Sequence, residues 1–366
     1  MLATLPIHAK RPTSARSSAP IRVMIVDDSV VARAVLARVL ADHDDIEVVA
    51  QAGSAESAHR ALDEKKVDII LLDLEMPGTC GLSALPDLIQ HGDGARVLIV
   101  SSACADGAAS SIAALRLGAA DTLLKPGAAQ FTNRFAEDLV DRLRRIARPG
   151  KAEPQSSTAR TGESAPRVST RRLECLGIGS STGGVHALAH FFGALPKSFT
   201  TPILITQHLP APYMPYFAGQ LAEMTGRPTR LGAPGLQPKP GELLLAPGDA
   251  HMTLVQTGPV IHVRLERKRS TSGCLPSVDP MLASIGKVYG PSAVGVILSG
   301  MGRDGLLGAG DLVAAGGSVL AQDEATSVVW GMPGAVANAR LATAILPPAE
   351  LARRIAAWSE GDAAWT

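Results

Sequence analysis

The sequence predicts an α/β chain of two domains joined by a tether. At 366 residues it exceeds one ordinary domain. Short apolar runs alternate with stretches of helical spacing on both sides of a break, as in parallel sheets flanked by helices. The break, residues 148–172, is rich in Pro, Ser, Thr and Arg and almost lacks large apolar residues, so it is expected to stay flexible. Hydrophobic content of 46% allows sizeable cores, and 3% aromatic content makes them aliphatic. A net charge of +1 creates no global field to recruit nucleic acid. Cys80, Cys104, Cys175 and Cys274 lack metal-ligand or disulfide spacing, which fits a reducing compartment. No apolar run approaches the ~20 residues of a membrane span. Residues 1–20 hold Lys10, Arg11 and Arg16 without an acid and lack a signal peptide's apolar core. A disordered basic tail is expected there, and a second tail at 359–366.

In the first domain the runs 21–26, 46–50, 67–72, 96–100 and 122–124 predict five strands of a doubly wound parallel sheet. Ligands of such sheets bind at the carboxyl ends of the strands. Those ends carry Asp27-Asp28, Asp73, Ser101-Ser102 and Lys125-Pro126. Carboxylates converging at one edge repel and call for a cation, and oxygen-only ligands with room for water suit Mg²⁺. A lysine and a hydroxyl beside them suit the oxygens of a phosphoryl group on one carboxylate. A single such acid reads as a helix N-cap, but the set in this order does not.

DDS at 27–29, LDLEMPGTCGL at 72–82, VSSA at 100–103 and KPG at 125–127 resemble the response-regulator receiver family across residues 21–147. The resemblance implies that Asp73 accepts phosphate. It also implies that Asp28, Asp73 and the Glu75 carbonyl hold Mg²⁺, with Asp27 reaching it through water. Ser101 is then the switch hydroxyl and Lys125 the phosphate-binding lysine. The chain departs from the family at Thr122, three residues before Lys125, where an aromatic that changes rotamer on activation is usual. The ordinary hydroxyl–aromatic coupling is therefore not expected.

The second domain, 173–358, opens on an apolar run that passes through Gly179-Ser180-Ser181-Thr182-Gly183 into a helical pattern. This fits the G-x-S-x-G nucleophile elbow, in which a serine is pushed out of a sheet edge and a helix N-terminus offers N–H groups to an oxyanion. Gly177, Gly179 and Gly183 would also suit a dinucleotide turn, but hydrophobic residues 195–205 stand where its acid belongs. Further strands are predicted at 202–207, 242–246, 293–298 and 318–321, a hairpin at 252–255 and 260–265 around Gly258-Pro259, and a helix at 331–339.

A serine nucleophile needs a base and an acid to orient it. His186 and His190 lie on the helix after the elbow, and His262 lies inside a hairpin strand. His208, at a strand's carboxyl end, is the best-placed base, with His251 second. For the acid, Asp304 follows a strand in a glycine-rich loop, with Asp249, Asp279 and Asp323 as alternatives. The order Ser181, His208, Asp304 differs from that of ordinary α/β-hydrolases.

GSSTGG at 179–184, QHLP at 207–210, APGDAHM at 246–252, PSVD at 276–279, LSGMGRDG at 298–305 and QDEATSVVWGMP at 322–333 resemble the catalytic domain of the CheB family. The resemblance implies a triad of Ser181, His208 and Asp304, an oxyanion donor at the Met301 N–H, and Thr182 beside the nucleophile. Arg303 stands where asparagine is common. It further implies a cytoplasmic, monomeric protein-glutamate methylesterase that also deamidates glutamine, with no cofactor in the catalytic domain. Its substrates would be methyl-accepting chemoreceptors and its phosphodonor a CheA-type histidine kinase. The unphosphorylated receiver would cover the site. A signalling adaptor with a degenerate esterase is the rival reading, and the intact triad argues against it. Arg264, Arg267, Lys268 and Arg269 are expected to form a basic rim for glutamate-rich receptor helices.

Overall fold

The apolar runs close two parallel sheets in a computed structural model that describes residues 19–76, 80–101, 105–125, 133–147 and 171–359. The expected tails, nearly all of the tether and the motif residues Ser102, Pro126 and Gly127 lie outside the described residues. The first sheet arises from β1 (Ile21–Val26), α1 (Val30–Ala41), β2 (Ile46–Ala52), α2 (Ala55–Glu64), β3 (Ile69–Leu72), α3 (Gly81–His91), β4 (Arg96–Ser101), α4 (Ala105–Arg116), β5 (Asp121–Leu124) and α5 (Asn133–Ala147). Its order is β2-β1-β3-β4-β5, parallel throughout. Strand β3, IILL, is buried on both faces, as a strand between two helical layers must be. Ser29 accepts from the Ala32 N–H and so starts α1 directly after Asp27-Asp28.

The second sheet is built from β6 (Cys175–Ser180), α6 (Gly184–Ala194), β7 (Ile203–Gln207), a 3₁₀ turn (Ala211–Tyr213), α7 (Met214–Thr225), β8 (Thr229–Leu231) and β9 (Leu243–Leu245). The hairpin strands β10 (His251–Thr257) and β11 (Val260–Glu266) stand apart as a two-stranded antiparallel sheet. The chain then returns through α8 (Val278–Tyr289), β12 (Ala293–Ile297), α9 (Leu306–Ala314), β13 (Ser318–Gln322), α10 (Met332–Asn338), β14 (Ala342–Leu346) and α11 (Pro348–Ser359). The seven strands run β14-β13-β12-β6-β7-β9-β8, all parallel.

Two features of this sheet position the site. The strand order reverses at β6, with β7 on one side and β12 on the other, which makes its carboxyl end the natural crevice. Helix α8 also lies close against β6. A Cβ at Gly179 would come within 2.4 Å of the Val278 side chain, and one at Gly177 within 2.7 Å of Ile285. These glycines admit a helix rather than a pyrophosphate.

The two sheets share a core. Ile112 and Leu115 of α4 belong to one cluster of buried side chains with Leu188 and Phe191 of α6, Tyr213, and Phe217 of α7. None of the described helices is long and apolar enough to cross a membrane.

Candidate active site

Strand β6 ends at Ser180, and the chain turns at once into α6. The turn needs Gly183, whose φ is +75° and whose Cβ would meet Val328 at 2.4 Å. Gln207, at the end of β7, clamps the elbow from the neighbouring strand. It accepts from Ser180 Oγ and donates through Nε2 to the Ser181 carbonyl at 2.9 Å. Ser181 is left half-buried at the sheet edge. Its own N–H is tied to the Ser299 carbonyl at 3.0 Å, whereas the Thr182 and Met301 N–H groups make no hydrogen bond among the described residues.

His208 follows β7, with its N–H on the Ser180 carbonyl at 3.0 Å. Its Nε2 lies 2.8 Å from Asp304 Oδ2. With that nitrogen carrying the hydrogen, Nδ1 keeps a lone pair, and no hydrogen bond joins it to Ser181 Oγ among the described residues. Such contacts are commonly long before substrate binds.

Asp304, 1% exposed, sits in the loop after β12 and at the N-terminus of α8. Besides His208 it accepts from the Val278 N–H at 2.7 Å, Ser277 Oγ at 2.6 Å and Ser272 Oγ at 2.9 Å. Burial opposes its ionisation. The hydrogen bond and charge of His208, with the Ser277 and Val278 donors, outweigh that and hold the carboxyl well below its usual range.

Of the alternative residues, His251 is structural. It accepts from the Ser277 N–H through Nδ1 and meets the Lys268 carbonyl through Nε2. Asp249 pairs with Arg267 on the surface, and Asp323 accepts from Thr326. Asp279 accepts from the Gly308 N–H and lies beside Asp304, where burial and that neighbouring charge push its carboxyl up to about 6. Sequence reasoning missed Gln207, Ser277 and Ser272 as supports. The first two lie inside the blocks QHLP and PSVD, while Ser272 lies in none. Cys274 also offers Sγ within 4.8 Å of ligand atoms of His208 and Asp304.

At the first sheet's carboxyl edge, Asp27, Asp28 and Asp73 each offer an oxygen within 4.8 Å of the others. Lys125 donates to Asp27 at 2.9 Å and to Asp73 at 2.7 Å. Burial raises the Asp73 carboxyl despite this pairing; it also pulls Lys125 down, but the bonds to Asp73 and Asp27 leave the ammonium raised. One ammonium shared between two of three carboxylates leaves negative charge on an oxygen-only site, and these residues fit Mg²⁺.

The two sites meet through the β5–α5 side of the first sheet. Gly183 N–H donates to the Ala120 carbonyl at 2.7 Å. Thr182 Oγ1 donates to Asp121 Oδ2 at 2.8 Å, an oxygen that also accepts from Arg142 at 2.6 Å. Arg145 Nη1 lies 3.5 Å from Met301 Sδ. The first domain thus touches the elbow at Thr182 and Gly183 and reaches Met301 beside it.

A family model described as CheB methylesterase matches residues 176–355, and one described as response regulator receiver domain matches residues 23–135. The chain is 37% identical to a protein-glutamate methylesterase/protein-glutamine glutaminase of Azospirillum brasilense, over 94% of either chain. It is 42% identical to protein-glutamate methylesterase/protein-glutamine glutaminase 2 of Caulobacter vibrioides, over 89% of this chain and 95% of that one. The crystal structure of the Thermotoga maritima CheB methylesterase catalytic domain is 32% identical, at a TM-score of 0.49, over 51% of this chain and 98% of that one. With its elbow, its His208–Asp304 pair and relatives matched over nearly their whole length, the chain belongs to the CheB methylesterase family, carrying a response-regulator receiver in front of the catalytic domain.

Proposed function

We propose that this chain hydrolyses glutamate methyl esters on methyl-accepting chemoreceptors, and glutamine amides at the same class of position, under control of phosphorylation at Asp73. The observation that carries this is the His208–Asp304 pair, bonded at 2.8 Å at the sheet edge where Ser181 leaves β6. Ser181 Oγ attacks the ester carbonyl carbon while its proton passes to His208 Nδ1. The oxyanion is received by the N–H groups of Met301 and Thr182. His208 then gives the proton to the leaving oxygen, and methanol departs from the acyl-enzyme. Water attacks the acyl carbon as His208 takes its proton, Ser181 Oγ recovers a hydrogen, and the carboxylate is freed. With glutamine, ammonia leaves in place of methanol. Asp304 keeps the Nε2–H tautomer and offsets the imidazolium charge.

In the receiver, Asp28, Asp73 and the Glu75 carbonyl would hold Mg²⁺, with Asp27 behind water. That ion, when bound, neutralises charge on phosphoryl oxygens. Lys125 and Ser101 bind those oxygens on phosphorylated Asp73, and a CheA-type histidine kinase supplies the group. Contacts of Ala120, Asp121 and Arg145 with Gly183, Thr182 and Met301 support a closed resting form that phosphorylation releases. The chain acts as a monomer in the cytoplasm.

The test is methanol release from receptor-bearing membranes. Wild type should release methanol, faster with Mg²⁺ and a phosphodonor; Asp73→Asn should lose that stimulation; Ser181→Ala should show only trace release with an unchanged fold. Hydrolysis near wild type in Ser181→Ala would overturn the mechanism.

A further inference from the structure

The slot for the receiver's switching aromatic is occupied by Thr122, which is 5% exposed and whose Oγ1 has no hydrogen-bond partner among the described residues. An aromatic nevertheless reaches the switch hydroxyl, from the other domain. Tyr213 Oη lies 3.3 Å from Ser101 Oγ, and neither residue is more than 1% exposed. Ser111 Oγ lies 2.8 Å from Ser101 Oγ and 2.7 Å from the Gly107 carbonyl. Ser111 has one hydrogen for these two contacts. Given to the carbonyl, it leaves Tyr213 to donate to Ser101 and Ser101 to Ser111; given to Ser101, it leaves that oxygen accepting from both Ser111 and Tyr213.

We propose that Tyr213 is the aromatic partner of the Ser101 switch, supplied across the domain boundary, and that it links phosphorylation at Asp73 to the loop carrying His208. This rests on the phosphorylation-controlled reading above. Tyr213 closes the 3₁₀ turn that begins three residues after His208. Its N–H holds the Pro210 carbonyl at 2.9 Å, and the turn packs so tightly on the loop after β9 that a Cβ at Gly248 would come within 2.3 Å of the Ala211 nitrogen. A shift of Tyr213 therefore moves the base's segment rather than dissipating in a loose loop.

Transfer of a phosphoryl group from a phosphohistidine or acyl phosphate breaks the donor's P–N or P–O bond and forms a P–O bond on an Asp73 carboxylate oxygen. The new anion stands at the end of β3, beside the β4 end that carries Ser101. Ser101 has one hydrogen. Given to a phosphoryl oxygen it makes a charge-assisted bond, stronger than the neutral one it replaces. The side-chain rotation that aims the hydroxyl there carries Oγ away from Tyr213, already 3.3 Å distant, and leaves the buried Tyr213 O–H without that acceptor. That penalty is relieved when the 3₁₀ turn and α4 part. Thr122, in the usual slot, offers no ring there to take up the movement.

The experiment is hydrogen–deuterium exchange of the full chain, read at α4 and the 3₁₀ turn, with and without Mg²⁺ and acetyl phosphate. Intact mass confirms phosphorylation. Wild type should open at both elements when phosphorylated. Tyr213→Phe, which removes only the hydroxyl, should raise exchange of the unphosphorylated form about two- to tenfold and shrink the phosphorylation step. Ser101→Ala, made from the receiver side, should do the same, and the double variant should add nothing to either. Additive effects, or a Tyr213→Phe chain with wild-type exchange and a full phosphorylation step, would overturn the proposal. If Tyr213→Phe also raises exchange in β6 and β12, Ser101→Ala decides by the same criteria. Exchange is read without hydrolysis, so failure of the methylesterase reading, seen as no methanol from wild type, is scored separately.

Discussion

At the scale of single residues the site is organised around Asp304, which collects four donors while almost fully buried. An amide there keeps the volume but presents an NH₂ to groups that themselves donate. Asp304→Asn is therefore expected to leave the fold intact and to lower kcat on the order of 10³–10⁴-fold, through the wrong imidazole tautomer. Methanol-release kinetics alongside circular dichroism check both halves. Its neighbour Asp279 behaves in the opposite sense, with a carboxyl pushed up to about 6 from an ordinary 3.8 by burial and by Asp304. A raised folded value means stability that is present below about 3.8 and lost as pH rises through 6. Asp279→Asn still offers an oxygen to Gly308 N–H. It should raise stability at pH 7.5 by on the order of 1 kcal/mol, a Tm shift of about 2–4 °C, and make no difference below about pH 4. Ser181, His208 and Asp304 could be named as candidates from the sequence because the first two directly follow β6 and β7 and the third lies in the loop after β12, each within a recognisable block. Ser272 could not, since its contact with Asp304 depends on the path of a loop that carries no periodicity.

Among the elements, the contact between α4 and α6 is expected to respond to pH, because two histidines of α6 are bonded in series to the end of α4. His186 Nδ1 lies 3.1 Å from the Arg116 carbonyl that ends α4, and His190 Nε2 lies 3.1 Å from His186 Nε2. With Nδ1–H given to the carbonyl, His186 Nε2 can only accept, so His190 must donate. A hydrogen on His186 Nε2 would face the His190 N–H and break this contact, and a charge on His190 would stand beside the His186 ring. Burial and the adjacent His186 hold the His190 imidazole below its ordinary 6.5. A lowered folded value gives stability that is present above 6.5 and lost as pH falls below it. Exchange at α4 and α6, corrected for the intrinsic rate, should rise several-fold between pH 7.5 and 5.5 in wild type and lose that dependence in His190→Ala. Equal pH dependence in the variant would show that other groups set it. The elements themselves were largely readable, because buried parallel strands appear as short apolar runs. The exceptions have physical causes. Strand β8 is three half-buried residues at a sheet edge, and β14, ATAIL, closes the other edge with none of its residues fully buried and Ile345 exposed. The hydroxyl of Tyr213 was unreadable for a different reason. Its partner lies 112 residues away in the other domain, beyond any local pattern.

For the whole molecule the remaining question is how a domain whose elbow is touched by the receiver would meet the receptor helix proposed as its substrate. The hairpin β10–β11 runs into exposed Arg267, Lys268 and Arg269, and the same loop continues to Ser272 and Ser277 on Asp304. The basic stretch therefore ends three residues before Ser272, which donates to Asp304. Its members are not equivalent. Arg264 pairs with Glu266 at 2.7 Å and Arg267 with Asp249 at 3.3 Å, whereas Lys268 and Arg269 have no acidic partner among the described residues. Free charge of this kind speeds encounter with glutamate-rich helices, is screened beyond about 10 Å at 0.1 M salt, and leaves chemistry alone. Replacing Arg267, Lys268 and Arg269 with alanine should lower kcat/KM on intact receptors several-fold, and Lys268→Ala with Arg269→Ala should reproduce most of that loss. Hydrolysis of a small uncharged methyl ester should be unchanged, and the receptor defect should shrink relative to wild type as salt rises. Equal losses on both substrates would instead mean that the stretch supports the loop holding Ser272 against Asp304. No loss on either would make it a solvated strand end.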